Sequence, residues 1–341
     1  MSLYIDGIIY TLQKHGGISV YFNELLKRLM QSDINTQISL YPNASQAIKD
    51  LPNNINVNKG ERFLERYRDV ESIESNVFHS SYYRLPKNKN IKIITTVHDF
   101  TYEKFFPMYK RVVHSTQKKR AILASDAIIC VSENTKKDLI SLIPNLDESK
   151  IHVIYNGVNE CFEYNCLPTD DYAIFIGSRA DYKGFNKSVM ALSKLNFLRL
   201  VIIGGGGLSL AEKEFLQQQL PGRYEYKPFV TNQELNQLYN AAFCLLYPSL
   251  YEGFGIPPLE AMRAGCPVIA MNISSIPEIV PYHQFLCEDN EPDTIVDRIS
   301  LLKNDVLLRN QLISLGIQKT KNFSWDIMYK KTVDVYKMLG A

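Results

Sequence analysis

Short apolar strings alternate with stretches of helical periodicity along all 341 residues. In the first half the strings are Tyr4–Tyr10, Gln37–Leu40, Val77–His79, Ile91–Val97, Ala127–Val131 and Ile151–Ile154. In the second they are Tyr172–Ile176, Leu200–Ile203, Phe243–Tyr247 and Pro267–Ala270. Between them lie amphipathic segments, clearest at Ile18–Met30, where Ile18, Phe22, Leu25, Leu26 and Leu29 recur at helical spacing. Strands apolar on both faces and separated by helices specify parallel sheets covered on both sides. The chain is about twice the size of a common single domain, so two such units are expected.

The pattern lapses in the turn-rich stretch Asn156–Asp171. That sets an α/β architecture of two doubly wound Rossmann-like domains, 1–160 and 168–324. Residues 325–341 add an amphipathic helix expected to pack back on the first domain, with Ile327, Met328, Val333, Val335, Tyr336 and Leu339 as its apolar positions. Ligands of such folds bind at the carboxyl ends of the strands, and two facing edges would form a cleft.

Charge narrows the partners. There are 38 Lys+Arg against 36 Asp+Glu, a net +2, which argues against a general nucleic-acid binder. Met1–Leu12 lacks the basic start and cleavage site of a signal peptide, and no apolar run reaches the roughly 20 residues of a membrane span. The six cysteines form no CxxC pair, so a disulfide framework or structural zinc is not expected. The expected setting is cytoplasmic.

The most informative segment runs from Tyr247 to Ala270: strand, glycine-containing loop, helix start, short helix, glycine stop and next strand. Pro257 and Pro258 suit a helix's first turn. Gly253 and Gly255 allow close approach of backbone to a ligand, and the helix start favours an anion such as a diphosphate. Two carboxylates bracket it, Glu252 in the loop and Glu260 on the helix. Neither helps a phosphate by charge; both suit sugar hydroxyls, from which a carboxylate accepts hydrogen bonds.

The string Glu252-Gly-Phe-Gly-Ile-Pro-Pro-Leu-Glu260 resembles the E-x7-E motif of family 4 retaining glycosyltransferases of the GT-B fold. Further stretches match that family in order: Gly16-Gly17, Thr96-Val-His98-Asp99, Val131-Ser132-Glu133, Asn156-Gly157-Val158, Phe175 to Gly184, Val201 to Gly205 and Pro277-Glu278-Ile279. The resemblance implies an acceptor-binding first domain and a second domain that binds the nucleotide-sugar. It makes Arg179 and Lys183 the holders of the donor diphosphate, although the loop between them is one residue shorter than the commoner pattern. Glu260 would accept the ribose hydroxyls and Glu252 would contact the donor sugar. Gly253, Phe254, Gly255 and Ile256 would offer backbone N–H groups, with Gly17 closing the phosphate site from the first domain. His98 would lie near the reacting carbon, whereas Asp99 reads better as a capping residue and Glu278 as a charge on a helix dipole.

The implied reaction is sugar transfer with retention to a hydroxyl of a glycan or lipid-linked acceptor, in bacterial polysaccharide or lipopolysaccharide synthesis. It needs no metal and no cofactor; the nucleotide-sugar is a co-substrate. An epimerase of the same architecture and a non-catalytic nucleotide-sugar-binding protein are the alternatives. The residues do not name the base, the sugar or the acceptor.

Three other stretches stand out. Gly204–Gly207 after a strand is neither a complete GxGxxG nor a Walker loop. From Lys104 to Ser125 there are six cations, Lys104, Lys110, Arg111, Lys118, Lys119 and Arg120, and no acid. With Phe105, Phe106, Met108 and Tyr109 beside them, they suggest peripheral contact with an anionic membrane surface, against the plainer reading of a solvated helix. Tyr82, Tyr83 and Arg84 in Ser80–Pro86 are candidate acceptor-site residues.

Overall fold

The structure, a computed structural model, describes residues 2–13, 16–41, 56–57, 63–71 and 73–341, the side chains of 56, 57, 109 and 110 excepted. It divides into two units, Met1–Gly157 with Trp325–Ala341, and Val158–Ser324.

The first unit carries a seven-stranded sheet of β1 (Ser2–Asp6), β2 (Asn35–Leu40), β3 (Asn56–Val57), β4 (Val77–Ser80), β5 (Lys92–Val97), β6 (Ala127–Cys130) and β7 (Ile151–Val153). All pairs are parallel, in the order β3-β2-β1-β4-β5-β6-β7. Its helices are α1 (Ile9–Leu12), α2 (Gly17–Leu29), α3 (Thr101–Phe105), α4 (Met108–Ala124), α5 (Glu133–Leu142) and the C-terminal helix Trp325–Met338. The apolar face expected of Ile18–Met30 is inside: Phe22, Leu25, Leu26 and Leu29 are buried. The C-terminal helix is tied to the sheet through His79, whose Nδ1 lies 2.6 Å from the Tyr336 hydroxyl and Nε2 2.8 Å from Thr96 Oγ1. Burial holds the His79 imidazole neutral, down to about 3.

The second unit has β8 (Tyr172–Ile176), β9 (Arg199–Ile203), β10 (Tyr224–Lys227), β11 (Cys244–Tyr247) and β12 (Val268–Ala270), all parallel in the order β10-β9-β8-β11-β12. Its helices are α6 (Phe185–Ser193), α7 (Leu210–Gln219), α8 (Asn232–Ala241), α9 (Ile256–Arg263), α10 (Ile276–Ile279), α11 (Pro292–Asn304) and α12 (Val306–Thr320). In both units the strand order reverses beside the first strand, between β1 and β4 and between β8 and β11. There the loops on either side diverge and leave a crevice outside the carboxyl ends.

Three elements differ from the expected pattern, one of them the two-residue strand Asn56–Val57, which no apolar string marks. The string Tyr4–Tyr10 is not one strand: β1 ends at Asp6, and α1 begins at Ile9. Gly7 makes the break, donating its N–H to Ser39 O at 2.9 Å, where a Cβ would stand 2.5 Å from that oxygen. The strand Tyr224–Lys227 was not expected, because it is a half-exposed edge with no apolar run.

Candidate active site

The second unit brings most of the expected site residues together at its switch point. After β8 the chain makes a single 3-10 turn, Asp181–Lys183, closed by Gly184 at φ 71°. A Cβ on Gly184 would lie 2.5 Å from Pro248 O, so only glycine lets this turn seat against the segment after β11. Leu250 N–H then donates to Tyr182 O at 2.7 Å. The result is a direct ion pair, Lys183 Nζ to Glu252 Oε1 at 2.6 Å.

The loop carrying Glu252 is fastened from the far side by two serines that the sequence analysis did not single out. Ser274 Oγ accepts from Glu252 N–H at 3.0 Å, and Ser275 Oγ donates to Glu252 O and Phe254 O at 3.0 and 2.8 Å. Their only sequence signal is a Ser-Ser pair just ahead of Ile276-Pro277. Gly255 caps α9 at φ 110°, where a Cβ would meet Ile279 Cδ1 at 2.9 Å. Pro257 and Pro258 have no N–H, so the outward donors at this helix start are those of Gly255 and Ile256. Neither has an acceptor among the described residues.

Glu260, on the next turn of α9, is half-buried. Its carboxyl receives no hydrogen bond from the described residues, and burial pushes it up to about 7 from an ordinary 4.5. The native protein therefore holds this proton more tightly than the unfolded chain, and stability is lost as pH rises from about 4.5 to about 7. Glu260→Gln is expected to raise the melting temperature at pH 8, by the equivalent of roughly 1–3 kcal/mol, and to change little at pH 5. Scanning calorimetry at the two pH values checks this; an equal shift at both would remove the charge from the account.

Arg179 has other work in this structure. Its Nε donates to Glu212 Oε1 at 2.6 Å, Nη1 to Gly204 O at 2.9 Å, and Nη2 to Gly206 O and Gly207 O at 3.0 and 2.9 Å. A guanidinium has five N–H donors, and four are engaged. The unusual glycine run is thus wrapped around an arginine, with Gly204, Gly205 and Gly206 all at positive φ. Glu212 also closes the capping box of α7 with Ser209.

In the first unit, Gly17 opens α2 as expected, after Gly16 at the cap. His98 follows β5 and is buried against Tyr21, ring centroids 5.2 Å apart. Its Nε2 has no partner among the described residues, and burial lowers it to about 4, so it is a neutral imidazole at pH 7. Asp99 accepts from Thr101 N–H at 2.9 Å, a local turn bond. Tyr82 and Tyr83 line a cavity, but Arg84 does not. It is completely buried, bridging Asp6 and Glu65, because the loop after β4 turns it inward.

Two parallel doubly wound units, each with its polar residues at the carboxyl ends beside the strand reversal, are the architecture of the GT-B fold. The family model for glycosyl transferases group 1 matches residues 159–319, and that for Glycosyltransferase Family 4 matches residues 15–160. This chain is a glycosyltransferase of that fold. It is 26% identical over 298 residues to O-antigen chain mannosyltransferase B of Escherichia coli, covering 81% of this chain and 76% of that one. Sucrose-phosphate synthase from Thermosynechococcus elongatus superposes with a TM-score of 0.83 at 16% identity, over 99% of this chain and 98% of that one. Anabaena HepE in complex with UDP and glucose gives 0.75 at 14% identity, over 98% and 99%.

Proposed function

We propose that the protein transfers a sugar, with retention of configuration and without a metal, from a nucleotide-sugar to a hydroxyl of a glycan or lipid-linked acceptor. The observation that carries this reading is the Lys183–Glu252 pair at the switch point of the second unit, beside the start of α9 and the unpartnered Glu260. The UDP bound in the HepE structure and the O-antigen role in the name of the E. coli relative support a nucleotide-sugar donor and a glycan acceptor.

In this reading the diphosphate lies against Lys183 and the N–H groups of Gly253, Phe254, Gly255 and Ile256, which stabilise the charge that grows as the sugar departs. Glu260 accepts from the ribose hydroxyls, which would draw its proton affinity back down. Glu252 accepts from the sugar hydroxyls once its lysine turns to phosphate. The leaving phosphate oxygen takes the acceptor's proton. Arg179 adds its remaining N–H, or shapes the glycine loop beside the diphosphate. Within the first unit, Gly17 opens α2 and His98 is a neutral imidazole able to hydrogen-bond.

The test is a thermal-shift screen over UDP-, GDP- and dTDP-sugars followed by transfer assays with a glycan panel. One donor is expected to raise the melting temperature and to be turned over only with acceptor present. Activity is expected to survive excess chelator; abolition with rescue by Mn²⁺ or Mg²⁺ would overturn the metal-free mechanism. Conversion of the donor alone to its epimer would replace the transferase reading.

A peripheral place at the inner face of a membrane belongs to the same proposal, with a corrected surface. Lys118 does not face outward: it is buried, with Nζ 2.9 Å from Glu103 Oε2 and 2.8 Å from Asp99 O. Arg120 is paired with Asp69 and Lys104 with Asp138. The side chains of Tyr109 and Lys110 lie outside the described residues. The described exposed positions on α4 are Met108, Arg111, Val112, Val113, Thr116, Lys119, Arg120, Leu123 and Ala124. No helix among the described residues is long and apolar enough to cross a membrane. Replacing Met108, Val112 and Lys119 by serine is expected to reduce sedimentation with phosphatidylglycerol vesicles at low salt and to leave donor binding unchanged. Equal sedimentation of parent and variant would return α4 to an ordinary solvated helix.

A further inference from the structure

The first unit contains a cavity of about 250 Å³ at the carboxyl ends of β1, β4 and β5, beside its strand reversal. Its wall is aromatic on one side. Tyr102 stacks on His114 with ring centroids 4.0 Å apart, and Tyr82 donates or accepts at His114 Nε2 over 2.9 Å. Around this wall stand buried polar atoms with no hydrogen-bond partner among the described residues, Arg66 Nε, Gln13 Oε1 and His98 Nε2, while His114 Nδ1 faces Glu103 Oε1 at 3.9 Å. A cluster of unsatisfied polar groups is costly to keep unless something fills it.

The charges show what fits. Arg66 lies over the Tyr82 ring, 4.8 Å from its centroid, and over Tyr67 at 5.2 Å. Stacking uses the faces of the guanidinium and leaves its N–H edges for hydrogen bonds. Among the described residues no carboxylate pairs with it, whereas nearby Arg84 and Arg120 are both paired. Lys118, the other cation near the cavity, is already neutralised by Glu103. Asp99 spends one oxygen on Thr101 N–H. The cavity therefore offers aromatic edges, neutral imidazoles, an amide and the Asp99 carboxylate for hydroxyls, and in Arg66 a cation without a carboxylate partner among the described residues, suited to bidentate recognition of an anion.

We propose that this cavity is the acceptor subsite and that it takes a sugar carrying an anionic group, phosphate or carboxylate, with Arg66 as the specificity residue that holds the anion and Tyr82 as the lining residue that positions Arg66 and bounds the sugar. The proposal rests on the glycosyltransferase reading for the role of the bound sugar, but the binding itself is measured separately.

The probes are the 1-phosphates of glucose, mannose and galactose, their methyl glycosides, glucuronate and inorganic phosphate. Each is titrated into the full chain by saturation-transfer NMR, with UDP and GDP as a separate arm. At least one sugar phosphate or glucuronate is expected to bind ten-fold or more tighter than the neutral glycosides and than phosphate alone. Phosphate or carboxylate preference then identifies the anion. Arg66→Gln is expected to erase that preference, Arg66→Lys to keep part of it, and Tyr82→Ala to weaken charged and neutral sugars together. All three variants should bind the nucleoside diphosphate as the parent does. Equal binding of charged and neutral sugars, or a preference untouched by Arg66→Gln, overturns the proposal even if donor turnover is intact. A chain that binds the anionic sugar at Arg66 but neither binds nor consumes any nucleotide-sugar would leave the subsite standing and sink the transferase reading.

Discussion

Lys183→Ala is expected to lower kcat by ~10²- to 10³-fold while leaving the melting temperature within a few degrees of the parent. The kinetic size comes from the task assigned to the lysine. It supplies a cation at the switch point, and the loss of a single preorganised charge-stabilising donor costs about 2.7–4 kcal/mol of activation free energy. The structure adds a second contribution. Lys183 is held 2.6 Å from Glu252; without it, that carboxylate would face an incoming diphosphate with its charge uncompensated. Donor affinity should fall too, so both kcat and kcat/KM are measured. The double variant Lys183→Ala/Glu252→Ala separates the two contributions: it should recover donor affinity relative to Lys183→Ala and not recover kcat. Folding should be little affected, because the pair is partly solvated and such pairs contribute modestly to stability. Retention of kcat within three-fold in Lys183→Ala would remove the lysine from the chemistry and shift attention to Arg179.

That alternative is a live one for a reason the sequence does not carry. The motif residues between Glu252 and Glu260 are close in sequence and spaced by two glycines, two prolines and the first turn of α9, so the local arrangement was legible before the fold. So were both parallel sheets, because buried strands read as apolar runs whatever their neighbours. What was not legible is set by residues far along the chain. Arg179 reads as a loop cation, and its engagement depends on Glu212 and on carbonyls of Gly204, Gly206 and Gly207. Lys118 reads as one of a basic cluster, and is turned inward by Glu103 and by the Asp99 carbonyl. Arg66 gave no signal at all, since a cation stacked on aromatics and lacking an acid is defined only by three-dimensional neighbours. Periodicity locates backbones; the partners of a long charged side chain are decided by the fold.

Arg84 shows the same limit with the largest consequence for stability. Both Arg84 and Asp6 are fully buried, with Nη1 2.9 Å from Asp6 Oδ1, while Nη2 reaches Glu65 and Nε donates to Arg68 O at 2.8 Å. Tyr41 hydrogen bonds to both Asp6 and Arg84. Desolvation outweighs the arginine at Asp6 and keeps its carboxyl above the ordinary carboxylate range even with the pair intact. Arg84→Ala would leave Asp6 buried without its cation, and removing one partner of a buried pair costs about 3–5 kcal/mol. The sign with pH is fixed by linkage. In the variant the Asp6 carboxyl, already raised with the arginine present, titrates higher still, so stability is lost as pH rises through that raised value. The deficit against the parent should therefore be largest at pH 8 and shrink toward pH 4, the opposite of ordinary acid destabilisation. Arg84→Ala/Asp6→Asn should recover part of it at pH 8. Urea titrations of the three proteins at both pH values decide the matter. A deficit below about 1 kcal/mol at pH 8, or one that grows on acidification, would mean that the arginine holds the loop after β4 by packing rather than by charge. That loop carries Tyr82 and Tyr83, so a marginally folded Arg84 variant should also lose the cavity they line while keeping nucleotide binding in the second unit.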